Sequence, residues 1–129
     1  MMKYTEQLLQ NIKNYVSSYN DFDVEGMMKD LHEDIIFKNI SNGEVNLTTN
    51  GKTAFKDQAN QAKQFFKTRK QTIIETIIDN EFIEIGINYR GIIAVNLPNG
   101  LKEGDKIELQ GKSIFKFIDD KIIEIIDIS

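Results

Sequence analysis

The chain has 129 residues with no cysteine, no tryptophan and one proline, the size of a single domain, and the lack of cysteine excludes a disulfide framework and thiolate chemistry. Hydrophobic residues make up 40% and charged residues 28%, an ordinary balance for a globular domain, and no run approaches the roughly 18 to 20 apolar residues that a membrane span needs. Sixteen basic against twenty acidic residues leave a formal net charge of −4, the wrong sign for a protein that tracks nucleic-acid phosphates. The opening MMKYTEQLLQ mixes polar and charged residues where a secretory signal carries an apolar block, so a cytoplasmic protein is expected.

Leu8, Ile12, Tyr15 and Tyr19, with Leu9 and Val16 beside them, recur at helical spacing and predict an amphipathic helix with Thr5 as N-cap. Asn20 to Asp23 ends it and offers Asp23 as cap for a shorter helix bearing Val24, Met27, Met28 and Leu31. Ile35, Ile36 and Phe37 read as a short strand, followed by a loop over 39–51 with a second short strand near Val45 and Leu47. A third helix is expected over 52–68, carrying Phe55, Ala59, Ala62, Phe65 and Phe66, with Asn50 and Thr53 as alternative caps. Beyond Arg69 the period shortens: Ile83, Ile85, Ile87 and Tyr89 alternate with Glu84, Gly86, Asn88 and Arg90, the pattern of half-buried strand. Asp79-Asn80, Leu97 to Gly100 and Asp119-Asp120 mark turns between consecutive antiparallel strands.

The strands expected over 81–96 and 105–118 are far longer than the usual ~5 to 6 residues. Gly86, Gly91 and Gly111 sit inside them, where glycine commonly marks a bulge or bend. The sheet is therefore expected to curl, leaving a concave side for the three helices to cover.

Three stretches, Tyr15 to Asp23 (YVSSYNDFD), Leu31 to Phe37 (LHEDIIF) and Phe115 to Ile123 (FKFIDDKII), with Gly51 and Phe55 between them, resemble the nuclear-transport-factor-2-like superfamily. That superfamily includes the SnoaL-like polyketide cyclases and ketosteroid isomerase, and the resemblance is to this branch. The resemblance covers almost the whole chain and implies an α+β fold, a curved antiparallel sheet wrapped around three helices in one cone-shaped, cystatin-like domain. It specifies fold much better than activity, because sites rather than folds carry chemistry.

In the isomerases a strand carboxylate is the base, and a helix tyrosine with a protonated aspartic acid forms the oxyanion hole. The similarity puts the tyrosine at Tyr15, the base at Asn39 and the acid at or next to Ser113. An amide accepts no proton at neutral pH and a serine is a poorer donor, so isomerisation through those groups is not expected, while Asn39 and Ser113 remain able to orient a polar ligand. Tyr15 reads either as a core tyrosine or as a hydroxyl aimed at the cavity. Asp127, sharing strand parity with Ile123 and Ile125, reads either as a solvated strand end or as an inward, desolvated carboxyl in the position where SnoaL-like proteins often place an acid.

His32, the single histidine, is expected at a solvent-facing corner ending the second helix, and no histidine cluster or acidic spacing points to a metal. Lys67, Arg69 and Lys70 read as a solvated basic group complementing the third helix's C-terminus. Phe55, Phe66, Tyr89, Phe115 and Phe117 read as core whose inner members also line a pocket. The leading expectation is a pocket for a small hydrophobic or carbonyl-bearing molecule, lined by Tyr15, Tyr19, Asn39, Phe55, Ser113 and Phe115, with no cofactor and no metal. An acid/base isomerase, cyclase or lyase using Tyr15 and Asp127 is the second. Ile114 and Ile118, set among Lys112 and Lys116, put apolar surface on the outer sheet face and lead to a third, protein association there, with a homodimer expected.

Overall fold

The computed structural model describes residues 2–129. Helices α1 (Met2–Asn20) and α2 (Val24–Met28) precede a hairpin of β1 (Leu31–Ser41) and β2 (Glu44–Asn50). Then come α3 (Lys52–Lys63) and strands β3 (Phe66–Ile78), β4 (Ile83–Ile93), β5 (Lys106–Ile118) and β6 (Lys121–Ile128). The strands form one sheet in the order β2-β1-β6-β5-β4-β3. All neighbours are antiparallel except β1 and β6, which run parallel. The α+β cone expected from the sequence is therefore present, with a mixed rather than wholly antiparallel sheet. The parallel pair arises because β6 closes against the first strand of the chain, a long-range pairing that no local pattern encodes. Among the described residues no helix is long and apolar enough to cross a membrane.

The apolar stripe of α1 lies against the concave side of the sheet. Leu8, Ile12, Tyr15 and Val16 are buried with Leu31, Ile35, Ile83, Ile85, Phe115, Ile122 and Ile125 in one core. Asn11 interrupts the stripe and is 3% exposed. Its amide donates to the Asp120 carbonyl at 3.0 Å and accepts from Gln7 at 2.8 Å, which ties α1 to the β5–β6 turn. That turn carries Asp119 and Asp120 at φ 52° and 64°, the conformation of a tight hairpin that twists with its strands. Asp23 caps α2 as expected, its carboxylate accepting from the Gly26 N–H at 2.9 Å.

Several local expectations are corrected. Helix α1 already contains Thr5. The cap of α3 is Gly51, at φ 89° and with no side-chain cap bond, rather than Asn50 or Thr53. The region around Asn42-Gly43 is a tight hairpin turn, so most of the expected 39–51 loop is strand. Helix α3 ends at Lys63, and Phe66 already begins β3. His32 sits on β1, not at a helix end, its Nδ1 accepting from the Asp34 N–H at 3.0 Å. At the end of α3 the pairing of β3 with β4 overrode the local helical spacing, and at 39–51 the pairing of β1 with β2 overrode the local turn signals.

The sheet is bent at its register shifts. β3 shifts against β4 between Ile73 and Glu75, beside Gly86, and between Phe66 and Thr68, close to Gly91. Gly111 serves differently, since a Cβ there would stand 2.7 Å from the Ile128 carbonyl oxygen, inside contact distance of the last strand's backbone. On the outer face Lys38 and Lys116 both pair with Glu124, and Lys112 with Glu84, around half-exposed Ile74 and Ile118. Because the obstacle at Gly111 is backbone rather than a flexible side chain, Gly111→Ala is expected to cost about 1 to 3 kcal/mol, read as a lower urea midpoint.

Candidate functional site

The core fills the deep end of the cone and leaves a cleft of about 180 Å³ at its mouth. Asn39, Asp127 and Ser113 lie side by side on three adjacent strands, Asn39 in register with Asp127 across the β1–β6 pair and Asp127 with Ser113 across β6–β5. They share the concave face with the buried Ile35, Ile125 and Phe115 on their own strands, because side chains two residues apart point the same way. One further row toward the mouth stand Gly111 and Ile87, then Leu109 and Tyr89, with Gln71 beyond on β3. Tyr19, from the last turn of α1, covers this side.

Asp127 points inward. The residue as a whole is half-buried, and its carboxyl lies deep against protein. Desolvation raises its pKa from 3.8 to about 6, partly offset by the hydroxyl of Ser113, which donates to Oδ1 at 2.5 Å. Ser113 is itself 3% exposed. The Asn39 amide donates to Asn46 Oδ1 at 2.9 Å, which holds the side chain across the β1–β2 hairpin. The parity that places Asp127 inward is shared with Ile125 but not with Ile123. The register shift between Lys116 and Phe117 makes Ile122 the next inward residue.

Tyr15 lies one helical turn deeper than Tyr19 and does not line the cleft. Its ring packs on Phe55 and edge-on against Phe115, with centroids 6.3 and 5.9 Å away. Burial, and then the nearby charge of Asp127, keep its hydroxyl protonated well beyond the ordinary tyrosine range. Phe55 and Phe115, expected as lining, are 4% and 1% exposed and belong to the packed end. The cone tapers, so aromatic rings at its narrow end meet one another rather than open space.

Two features of the site were not assigned to it from the sequence. Tyr89, read as core, reaches the cleft, where its hydroxyl is 2.8 Å from that of Tyr19. Its position at the mouth end of the Ile83, Ile85, Ile87 row was the available signal. Arg69, read as solvated, is 4% exposed. Its guanidinium lies 3.7 Å over the Tyr19 ring and 4.6 Å over that of Phe22. Its Nε donates to the Tyr19 carbonyl at 2.9 Å, so the helix terminus it complements is that of α1, not α3. Asn20 adds a second clamp, accepting from the Gln71 N–H at 2.7 Å and donating to the Gln71 carbonyl at 3.0 Å. Among the described residues no group of histidine and acidic side chains is arranged to hold a metal, and His32 is not part of the cleft's lining.

Residues 12–125 match the SnoaL-like domain family. No curated protein sequence matches the chain. Among solved structures the chain is similar to a candidate polyketide cyclase from Xanthomonas campestris, with a TM-score of 0.81 at 15% identity over 98% of this chain and 92% of that one. It is similar also to IdmH, a candidate polyketide cyclase from Streptomyces antibioticus, at TM-score 0.76 and 13% identity over 94% and 90% of the two chains. A Catenulispora acidiphila protein with a ketosteroid isomerase-like fold, solved with trimethylamine, gives 0.73 at 10% identity over 91% and 82%. Likenesses at this identity establish the fold and leave the chemistry to the residues.

The raised Asp127 pKa has a consequence for stability. An acid whose folded pKa lies above its unfolded one stabilises the fold while protonated. That contribution is complete below about pH 4 and is lost as pH rises through about 6. Asp127→Asn removes the penalty of burying the charge, so its stability relative to the parent protein is expected to rise by about 1 to 3 kcal/mol between pH 4 and pH 8. Chemical denaturation at the two pH values measures the difference.

Proposed function

The chain belongs to the SnoaL-like domain family, and from that premise we propose that it binds a small, mostly apolar, carbonyl-bearing molecule in the mouth cleft and moves a proton on it with Asp127. The observation that carries this reading is the inward carboxyl of Asp127, whose pKa of about 6 leaves it ionised yet basic near neutrality. A general base works best with its pKa near the operating pH. Resemblance puts the family's base at Asn39, which accepts no proton. Asp127 is the register partner of Asn39 one strand away, so a carboxylate is restored on the same row of the same face.

The volume bounds the ligand. A cavity of about 150 Å³ takes a benzene-sized molecule, so the 180 Å³ cleft suits a single ring or a short branched chain. A larger molecule would leave its remainder outside the mouth. Ile87, Leu109 and Ile128 supply apolar lining, and a small set of polar side chains, among them Asp127, Ser113, Tyr19 and Tyr89, stands around it, the usual division of labour in a small-molecule site.

In the reaction proposed, the Asp127 carboxylate takes a proton from the carbon beside the ligand's carbonyl, leaving an enolate and a neutral carboxylic acid. Ser113 occupies Oδ1 as a hydrogen-bond donor, so Oδ2 is the oxygen that receives the proton. Where the ligand carries a carbon–carbon double bond conjugated with the enolate, return of that proton to the far end of the conjugated system shifts the double bond and gives isomerisation. Attack of the enolate carbon on a second carbonyl in the same molecule, with the proton delivered to the resulting alkoxide, gives ring closure. Both outcomes need one base, an apolar enclosure and a donor to the oxygen, and no other reactant.

The test is exchange of α-protons in deuterated water. Acetophenone and cyclohexanone incubated with the protein are expected to lose their α-proton NMR signals faster than in buffer, with a rate that rises with pH and levels off above an apparent pKa near 6. Asp127→Asn should slow the catalysed exchange by about 10²-fold or more. Binding without exchange would retain the pocket and remove the proton-transfer role.

A further inference from the structure

Arg69 is a buried charge without a counter-charge. Among the described residues no carboxylate pairs with it, whereas the exposed Arg90 on the next strand pairs with Glu108 at 3.2 Å. Its Nη2 is enclosed and makes no hydrogen bond. Burying a guanidinium in this way is costly unless its charge interacts with something else. Here it meets the faces of Tyr19 and Phe22 and the carbonyl end of α1. A cation over a ring is attracted to its π density and draws electron density from it, which makes the hydroxyl on that ring a stronger donor.

The Tyr19 hydroxyl is engaged with that of Tyr89. Two hydroxyls hold two hydrogens, and their mutual bond uses one. The second hydrogen has no acceptor among the described residues, and both tyrosines line the cleft that also holds Asp127. Burial keeps both hydroxyls protonated at neutral pH, so the pair is a donor throughout the working range. Tyr15, which the family resemblance assigns this role, lies in the packed end of the cone and outside the lining.

We propose that the Tyr19–Tyr89 hydroxyl pair, polarised by Arg69 beneath the Tyr19 ring, is the donor that selects ligands bearing an uncharged acceptor oxygen such as a ketone. The inference rests on the cleft being the binding site, as proposed above, and adds which atoms read the ligand. A carboxylate ligand is disfavoured because the same small cleft holds the Asp127 carboxylate, while Arg69, behind the ring, offers it no direct contact and Lys112, which also borders the cleft, has its ammonium paired with Glu84. Arg69 acts through the tyrosine and is a positioning residue. Tyr19 and Tyr89 touch the ligand.

Acetophenone and α-methylstyrene have nearly the same shape and differ by replacement of the ketone oxygen with a methylene group. The protein is expected to bind the ketone about fivefold or more tightly than the alkene, the ratio that one net hydrogen bond supplies. NMR titration of each compound measures both constants. In the double variant Tyr19→Phe with Tyr89→Phe the ratio should fall to near one while alkene affinity is maintained. Arg69→Met should lower the ratio by about twofold or more with both tyrosines present. If that variant does not fold, Arg69→Lys, whose ammonium lacks the flat face that stacks, is read in the same way. A merely structural role for Arg69 would change both affinities together and leave their ratio intact. Equal binding of the two compounds by the parent protein, or an unchanged ratio in the double variant, overturns the inference and leaves the pocket standing. Failure to bind either compound overturns the inference and the pocket together.

Discussion

The structure depends on one packing constraint: the concave face of a bent sheet is too wide to close on itself, and α1 has to fill it. The stripe from Leu8 to Val16 does so against Ile83, Ile85, Phe115 and Ile125. Tyr15 meets Phe115 edge-on at the centre. Burial of side chains of this size contributes roughly 1.5 to 3 kcal/mol each, so the helix cannot lift off without loss of the core. Because the stripe is straight and the sheet curves away from it, the filling stops at Tyr15. One turn later, at Tyr19, the surfaces have separated and the cleft begins.

The polar groups of the mouth are held in place by bonds that are mostly backbone-directed. Asn20 and Arg69 fix the end of α1 to β3, which sets Tyr19 beside Tyr89. Asn11 fixes α1 to the β5–β6 turn. The row of Asn39, Asp127 and Ser113 needs no such clamp, because strand register alone aligns it. Tyr19 and the polar row thus occupy one cleft on independent supports, a helix terminus on one side and a sheet on the other. The electrostatics follow the same division. Asp127 carries a carboxyl made more basic by burial, and Arg69 carries a positive charge that reaches the cleft only through an aromatic ring.

Much of this was legible in the residues. The helical stripe of α1, the cap at Asp23, the alternation of Ile83, Ile85 and Ile87 and the turns at Asp79-Asn80 and Asp119-Asp120 are short-range patterns, and short-range patterns survive folding when they agree with their surroundings. Strand parity left Asp127 open between a solvated end and an inward carboxyl, and Ser113 was singled out only by the family resemblance; the register of β6 against β5 decides both. The sequence reading failed where the deciding partner was distant. The segments from Asn39 to Asn50 on both sides of Asn42-Gly43 read mostly as loop, with a short strand only near Val45 and Leu47, because their residues are largely polar; the β1–β2 pairing makes them strand. Phe65 and Phe66 extended a helical spacing that β3 interrupts by pairing with β4. Arg69 looked solvated because its neighbours Lys67 and Lys70 are.

The sequence by itself therefore determined most of the helices and strands and the curved sheet with its covering helices, since each follows from periodicity, turn chemistry or the residues that carry the family resemblance, and it named Tyr15, Asn39, Ser113 and Asp127 as candidates without settling which way Tyr15 and Asp127 face. Only the tertiary structure decided which of those residues meet. The parallel β1–β6 pairing brings Asn39 beside Asp127 across 88 positions of chain, the taper of the cone buries Tyr15, Phe55 and Phe115, and the end of α1 brings Tyr19 to Tyr89 and Arg69. Such contacts are set by where a sheet bends and where a helix ends on it, and neither quantity is carried by the local spacing of residue types.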